Sequence, residues 1–161
     1  FLPVDQVNAA GKYMWNLSQI GVTKAMHAHA RKRGSKVKVA VLDGIARCTH
    51  RELKGRCTNF LVTGGTYKDF DDHGTHVATT ILGNNTGGRM VGVAPKAVLL
   101  SYGVFDDFGW VGGEESAIAD ARRRGARVVN MSYGPSRAGL LTGFGTLRVM
   151  GATKNKIPPG S

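Results

Sequence analysis

The chain is 161 residues long and 42% hydrophobic, and it carries 22 Lys and Arg against 11 acidic residues, a formal net charge of +11. That length holds one domain with a real core and is too short for two, and no apolar stretch approaches the roughly 20 residues of a membrane-spanning helix. The charge would suit anionic partners, but its densest runs, Arg31-Lys32-Arg33 and Arg122-Arg123-Arg124, lack interleaved aromatics or a nucleic-acid motif, so they are expected to be solvated faces and not a nucleic-acid site.

The chain opens on Phe1 without a leader pattern, which suggests a trimmed start. Residues 1–35 read as an irregular opening followed by a helix, with Val22, Ala25 and Met26 at i, i+3, i+4 as its packing stripe. His27 and His29, two apart, point in different directions and read as surface residues. Lys36 to Leu42 reads as a strand on Val37, Val39 and Val41, with Asp43 at its end. Cys48 and Cys57 lack the spacing of a zinc site and are expected on one loop after Asp43, close enough to bridge, with a local bridge and two free thiols both open.

A helix is expected from near Gly74 through Val77, Ala78, Ile81 and Leu82, broken by the run Gly83 to Gly88. Val98 to Val104 reads as a buried parallel strand. Glu114 to Arg124 reads as a helix on Ala117, Ile118 and Ala121, and Arg127 to Met131 as a further strand. Arg137 to Ser161 is a Gly/Pro-rich tail that fits no amphipathic template. Strands alternating with helices predict an α/β fold, a parallel sheet with helices on both faces. Function in such sheets collects at the carboxyl ends of strands, which singles out Asp43 and Ser132-Tyr133-Gly134.

The stretch Asp71-Asp72-His73-Gly74-Thr75-His76-Val77-Ala78 puts an imidazole at a helix start beside a glycine. By spacing alone, His73 and His76 fit a shared ion or two structural histidines, although the HExxH pattern of a zinc protease is absent. The stretch resembles the D-x-H-G-T-H-V-A-G box of the subtilisin-like serine proteases. Val39 to Ile45 is similar to that family's V-A-V-[IL]-D-[ST]-G-I, and His50-Arg51-Glu52-Leu53 to its H-P-[DE]-L. Gly92 to Ala97 resembles G-V-A-P-x-A, and Val128 to Gly134 resembles V-I-N-M-S-[LY]-G, all in the family's order.

The resemblance implies a three-layer, subtilisin-like α/β fold, incomplete here, with residues 1–161 as a single partial peptidase domain. It implies a serine endopeptidase working through an Asp-His-Ser triad, with His73 as general base and Asp43 as the carboxylate that orients it. His76 becomes a structural residue of the box, and Asn130 a structural asparagine. Ser132, Tyr133 and Gly134 match the segment that pairs with an extended substrate. Gly109 and Trp110, within Phe108 to Gly112, fall where the family places the opposing segment, Trp110 as a pocket wall or an exposed loop residue. No cofactor is required, and calcium is a candidate near Glu52 and Gly83 to Gly88, where the family often holds it. The implied partner is a peptide or protein substrate, and the implied location is outside the cell.

Departures from the pattern bear on activity. The Ser or Thr that the family places after the aspartate is missing between Asp43 and Gly44, so the turn there is expected to be tighter. Thr79 replaces a glycine, which predicts local repacking. The G-T-S-M-A serine motif and the A-A-G-N oxyanion motif do not occur, while Leu147 to Thr153 faintly resembles V-I-T-V-G-A-T, which suggests an internal deletion. The expectation is a truncated or split protease whose serine lies elsewhere, for instance in a second chain, and the alternative is an inactive, peptide-binding pseudo-protease.

Overall fold

In the computed structural model the described residues are 15–33, 37–62, 72–86, 90–107 and 109–134. Phe108, the tail from Arg137 and the Leu147 to Thr153 stretch lie outside them. The strands are β1 (Lys38–Gly44), β2 (Cys57–Leu61), β3 (Val98–Asp106), β4 (Gly109–Trp110) and β5 (Ala126–Met131). The helices are α1 (Trp15–Gln19), α2 (Lys24–Arg33), α3 (Asp72–Leu82) and α4 (Glu114–Arg123). The sheet runs β2-β3-β1-β5 with all neighbours parallel, and β4 folds back antiparallel on β3.

β1 lies at the centre because its sequence is apolar on both sides. Val39 and Val41 pack with Ala78 and Leu82 of α3, and with Leu53 and Leu99. Ala40 and Leu42, alternating with them, pack with Leu100, Tyr102 and Val104 and with Ala117 and Ala121 of α4. The expected three layers are therefore present, one helix to each face. Each fully buried leucine or valine contributes about 1.5–3 kcal/mol by leaving water, so this two-faced strand anchors the domain.

A polar network closes the α4 side. Tyr102 donates to Asp120 Oδ2 at 2.8 Å, and Arg124 Nε donates to the same oxygen at 2.6 Å. The Arg124 guanidinium lies 4.1 Å from the centroid of the Phe60 ring, which stacks on Tyr102 at 4.9 Å. Three elements, β2, β3 and α4, are thereby tied through one carboxylate.

Several expectations need correction. Val22 is buried, but it precedes α2, so a stripe counted from it has the wrong phase: Ala25 is exposed, Met26 is 58% exposed, and His27, expected on the surface, is 5% exposed. His29 is exposed, as expected. α3 begins at Asp72 and not near Gly74, which places His73 inside the first helical turn. β1 starts at Lys38 and continues through Asp43 to Gly44. Ile118, expected on the packed face of α4, is 38% exposed. β2, β4 and α1 were not expected.

Candidate active site

Asp43 stands at the carboxyl end of the central strand with its side chain 4% exposed. Its Oδ1 accepts the Gly44 N–H at 2.8 Å and the His73 Nδ1–H at 2.8 Å. A neutral imidazole that donates from Nδ1 carries its lone pair on Nε2, so the carboxylate selects the tautomer that is able to take a proton. The imidazole is 60% exposed, which leaves it open to a reacting partner.

Glycine makes this meeting feasible. A Cβ on Gly74 would fall 1.9 Å from the Gly44 carbonyl oxygen, so the first turn of α3 rests directly on the end of β1. Beside that contact, Arg47 N–H donates to Thr75 Oγ1 at 2.9 Å, Ala46 N–H to Ser101 Oγ at 3.1 Å, and Asn59 Nδ2 to the Ala46 carbonyl at 3.0 Å. Helix start, strand end and the following loop thus form one braced unit.

The pairing of β1 with β3 shifts register between Asp43, opposite Gly103, and Gly44, opposite Phe105, a bulge that places the extra residue on β3. Asp43 Oδ2 is buried without a hydrogen-bond partner among the described residues. A buried carboxylate oxygen left so is poorly solvated, and the other oxygen is held by the Gly44 and His73 N–H groups together.

Cys48 and Cys57 form a disulfide with a Cα–Cα distance of 5.2 Å. Both were expected on one loop, whereas Cys57 is the first residue of β2. The bridge ties that strand to the loop leaving Asp43.

The two segments assigned to substrate are brought together. Gly109 and Trp110 pair with Asp106 and Phe105, and the Phe105 ring meets Tyr133 edge-on at 4.9 Å. Glu114 Oε1 accepts from Trp110 Nε1 at 2.5 Å and from the Tyr133 hydroxyl at 3.3 Å. Burial pushes the Tyr133 hydroxyl well above the ordinary tyrosine range, and the negative charges of Glu114 and Asp43 push it the same way. Trp110 is 56% exposed, which favours the loop reading over a closed pocket wall. Ser132 donates to Asn130 Oδ1 at 2.9 Å, and Gly134 is exposed at the end of the same segment. Glu114 was missed; the only signal was an acidic residue opening a helix after Gly112-Gly113.

His76 is exposed, and the described residues hold no group of three or more His, Cys, Asp or Glu arranged for a metal. Oxygen donors are another matter. Glu52 is 2% exposed, and its Oε2 accepts the backbone N–H groups of Asn84 at 2.8 Å and Thr86 at 3.1 Å. Glu52 Oε1, Asn84 Oδ1 and Asn85 Oδ1 are all buried without a hydrogen-bond partner among the described residues. Such oxygens suit a hard cation such as calcium.

The subtilase family model matches residues 34–160. Fervidolysin of Fervidobacterium pennivorans is 34% identical over 142 residues, covering 75% of this chain and 19% of its own length. Subtilisin E of Bacillus subtilis is 38% identical over 128 residues, covering 74% of this chain and 32% of its own. The chain therefore spans about a fifth to a third of these curated relatives. The crystal structure of fervidolysin, described as a keratinolytic enzyme related to subtilisin, superposes with a TM-score of 0.63 at 28% identity over 86% of this chain and 23% of that one. That of the psychrophilic subtilisin-like protease Apa1 from Pseudoalteromonas sp. AS-11 gives 0.56 at 29% identity, covering 66% and 27%. No described helix is long and apolar enough to cross a membrane.

Proposed function

This chain belongs to the subtilase family, and from that membership we propose that it supplies the general base and the orienting carboxylate of a serine endopeptidase. The 2.8 Å bond from His73 Nδ1–H to the buried Asp43 carboxylate is the observation that carries the reading. In the proposed reaction a serine hydroxyl gives its proton to His73 Nε2 as its oxygen attacks the scissile carbonyl. Asp43 holds the ring and stabilises the imidazolium, and the same proton then passes to the leaving amine. The peptide lies extended between Gly109-Trp110 and Ser132-Tyr133-Gly134, adding a strand through backbone hydrogen bonds.

The serine is assigned to a segment or second chain beyond these residues, since the G-T-S-M-A motif does not occur in them. Ser101 supports this, buried in β3 with its Oγ occupied by Ala46 N–H, as does Ser116, which donates to the Gly113 carbonyl. The same missing motif favours the second reading, a peptide-binding protein that does not cleave. The disulfide supports an oxidising, exported location. Calcium, proposed as a structural ion, would be held by Glu52 Oε1, Asn84 Oδ1 and Asn85 Oδ1, beside the ion pair that Arg51 Nε makes with Glu52 Oε1 at 3.9 Å.

A fluorophosphonate probe tests the assignment. The 161-residue chain alone should not label, and labelling that disappears in His73→Ala would reveal a nucleophile within it. Joined to a serine-bearing segment, the protein should label and cleave, and His73→Ala should lower turnover by about 10⁶. Peptide binding without cleavage in the joined protein would establish the second reading.

A further inference from the structure

Glu114 opens α4 immediately after Gly112 and Gly113, both left-handed at φ 78° and 86°. A side chain at Gly113 has no room, because a Cβ there would fall 2.2 Å from Val62 Cγ1. From this turn the Glu114 carboxylate reaches both walls of the proposed peptide groove, accepting from Trp110 Nε1 and from the Tyr133 hydroxyl on a single oxygen. Both donors are neutral, and no ion pair forms on Glu114 among the described residues. The groove thus holds an unneutralised carboxylate at the Nε1 edge of an indole that is 56% exposed. A cation laid on the exposed ring face is attracted by the ring quadrupole and by the charge of the carboxylate at the ring's edge.

We propose that Glu114 is a specificity-determining residue, and that the groove favours peptides carrying an Arg or Lys side chain laid against Trp110. The proposal rests on the peptide-binding reading given above and names the substrate class for it. The net charge of +11 works against such peptides at long range. At physiological ionic strength charges beyond about 8 Å are largely screened, so the nearby carboxylate decides the preference.

Calorimetric titration of the 161-residue chain with two short extended peptides tests it, the pair identical except that one carries arginine and the other citrulline, which keeps the shape and lacks the charge. The arginine peptide should bind about two- to five-fold tighter, the range of an exposed ion pair aided by an aromatic face. In Glu114→Gln, which keeps an acceptor oxygen for Trp110 and Tyr133, the ratio of the two affinities should fall toward one, leaving only the share of the indole face. Equal affinities in the unaltered chain, or a ratio undiminished in Glu114→Gln, overturn the proposal while leaving peptide binding intact. If neither peptide binds, the groove itself is refuted and this inference falls with it.

Discussion

Gly74 makes the position of His73 depend on the absence of a single methyl group. With its virtual Cβ 1.9 Å from a backbone oxygen, no side chain is able to rotate out of the way, and either α3 or the end of β1 has to move. Gly74→Ala should therefore destabilise the fold by about 1–3 kcal/mol or more, the range for overpacking. It should also break the bond between His73 and Asp43, seen as loss of the downfield Nδ1–H resonance; an unchanged resonance and unfolding midpoint would refute the contact. A second residue-scale prediction concerns Tyr102, pushed up to about 12 by burial and by its bond to the Asp120 carboxylate. Its folded value lies above the unfolded value of 10.0, so its contribution is complete below pH 10 and is lost as pH climbs through about 12. Asp120 behaves oppositely, held down to about 2 by its bonds to Arg124 and Tyr102, so its contribution is complete above pH 3.8 and fades as pH falls toward 2. Urea midpoints measured from pH 9 to 12 should decline, and Tyr102→Phe should flatten that decline.

Among the elements, the loop from Ile45 to Arg56 has the densest set of obligations. It is bridged to β2 by the disulfide, and Arg56 at its end donates to the Glu52, Leu82 and Ala97 carbonyls at 2.7, 2.9 and 2.9 Å. Its buried Glu52 faces the run after α3. Chelation of calcium with EGTA should lower the thermal midpoint by several degrees, as loss of a ligand bound to the native state requires. Glu52→Gln should remove the sensitivity, and a midpoint indifferent to EGTA would exclude the ion. β1, β3 and α3 are legible in the sequence because their apolar residues coincide with their burial, and α4 is legible through Ala117 and Ala121, whereas β5 is legible as a β-branched run although Val128 and Val129 are exposed. β2 is not, since Cys57-Thr58-Asn59-Phe60-Leu61 has no apolar β-branched residue and owes its place to β3 and the disulfide. At the site, Asp43 and His73 are legible through motif resemblance. The Glu114 link is not, because it joins Tyr133 across 19 residues and exists only once α4 and β5 have packed.

Over the whole molecule, β5 pairs with β1 and leaves its other edge without a strand among the described residues. Val128 is 52% exposed and Val129 37%. An open apolar edge is a template for pairing with another chain, so the 161-residue chain should associate with rising concentration in sedimentation equilibrium. Val128→Lys should weaken that association, and a monomer at all concentrations would show the edge to be harmless. The strand order also sets a timetable. β1 has sheet partners only in β3 and β5, and Lys38 meets Val98 and Ala126. At translation rates of about 5–20 residues per second, β1 emerges some 3–12 s before the first of those partners is made. The cysteines, 9 apart in sequence, face no such wait, and closing their loop costs about 1.7 kcal/mol less than closing one of about sixty residues. The central strand of the sheet is thus born without a neighbour, while the loop beside it closes over only nine residues.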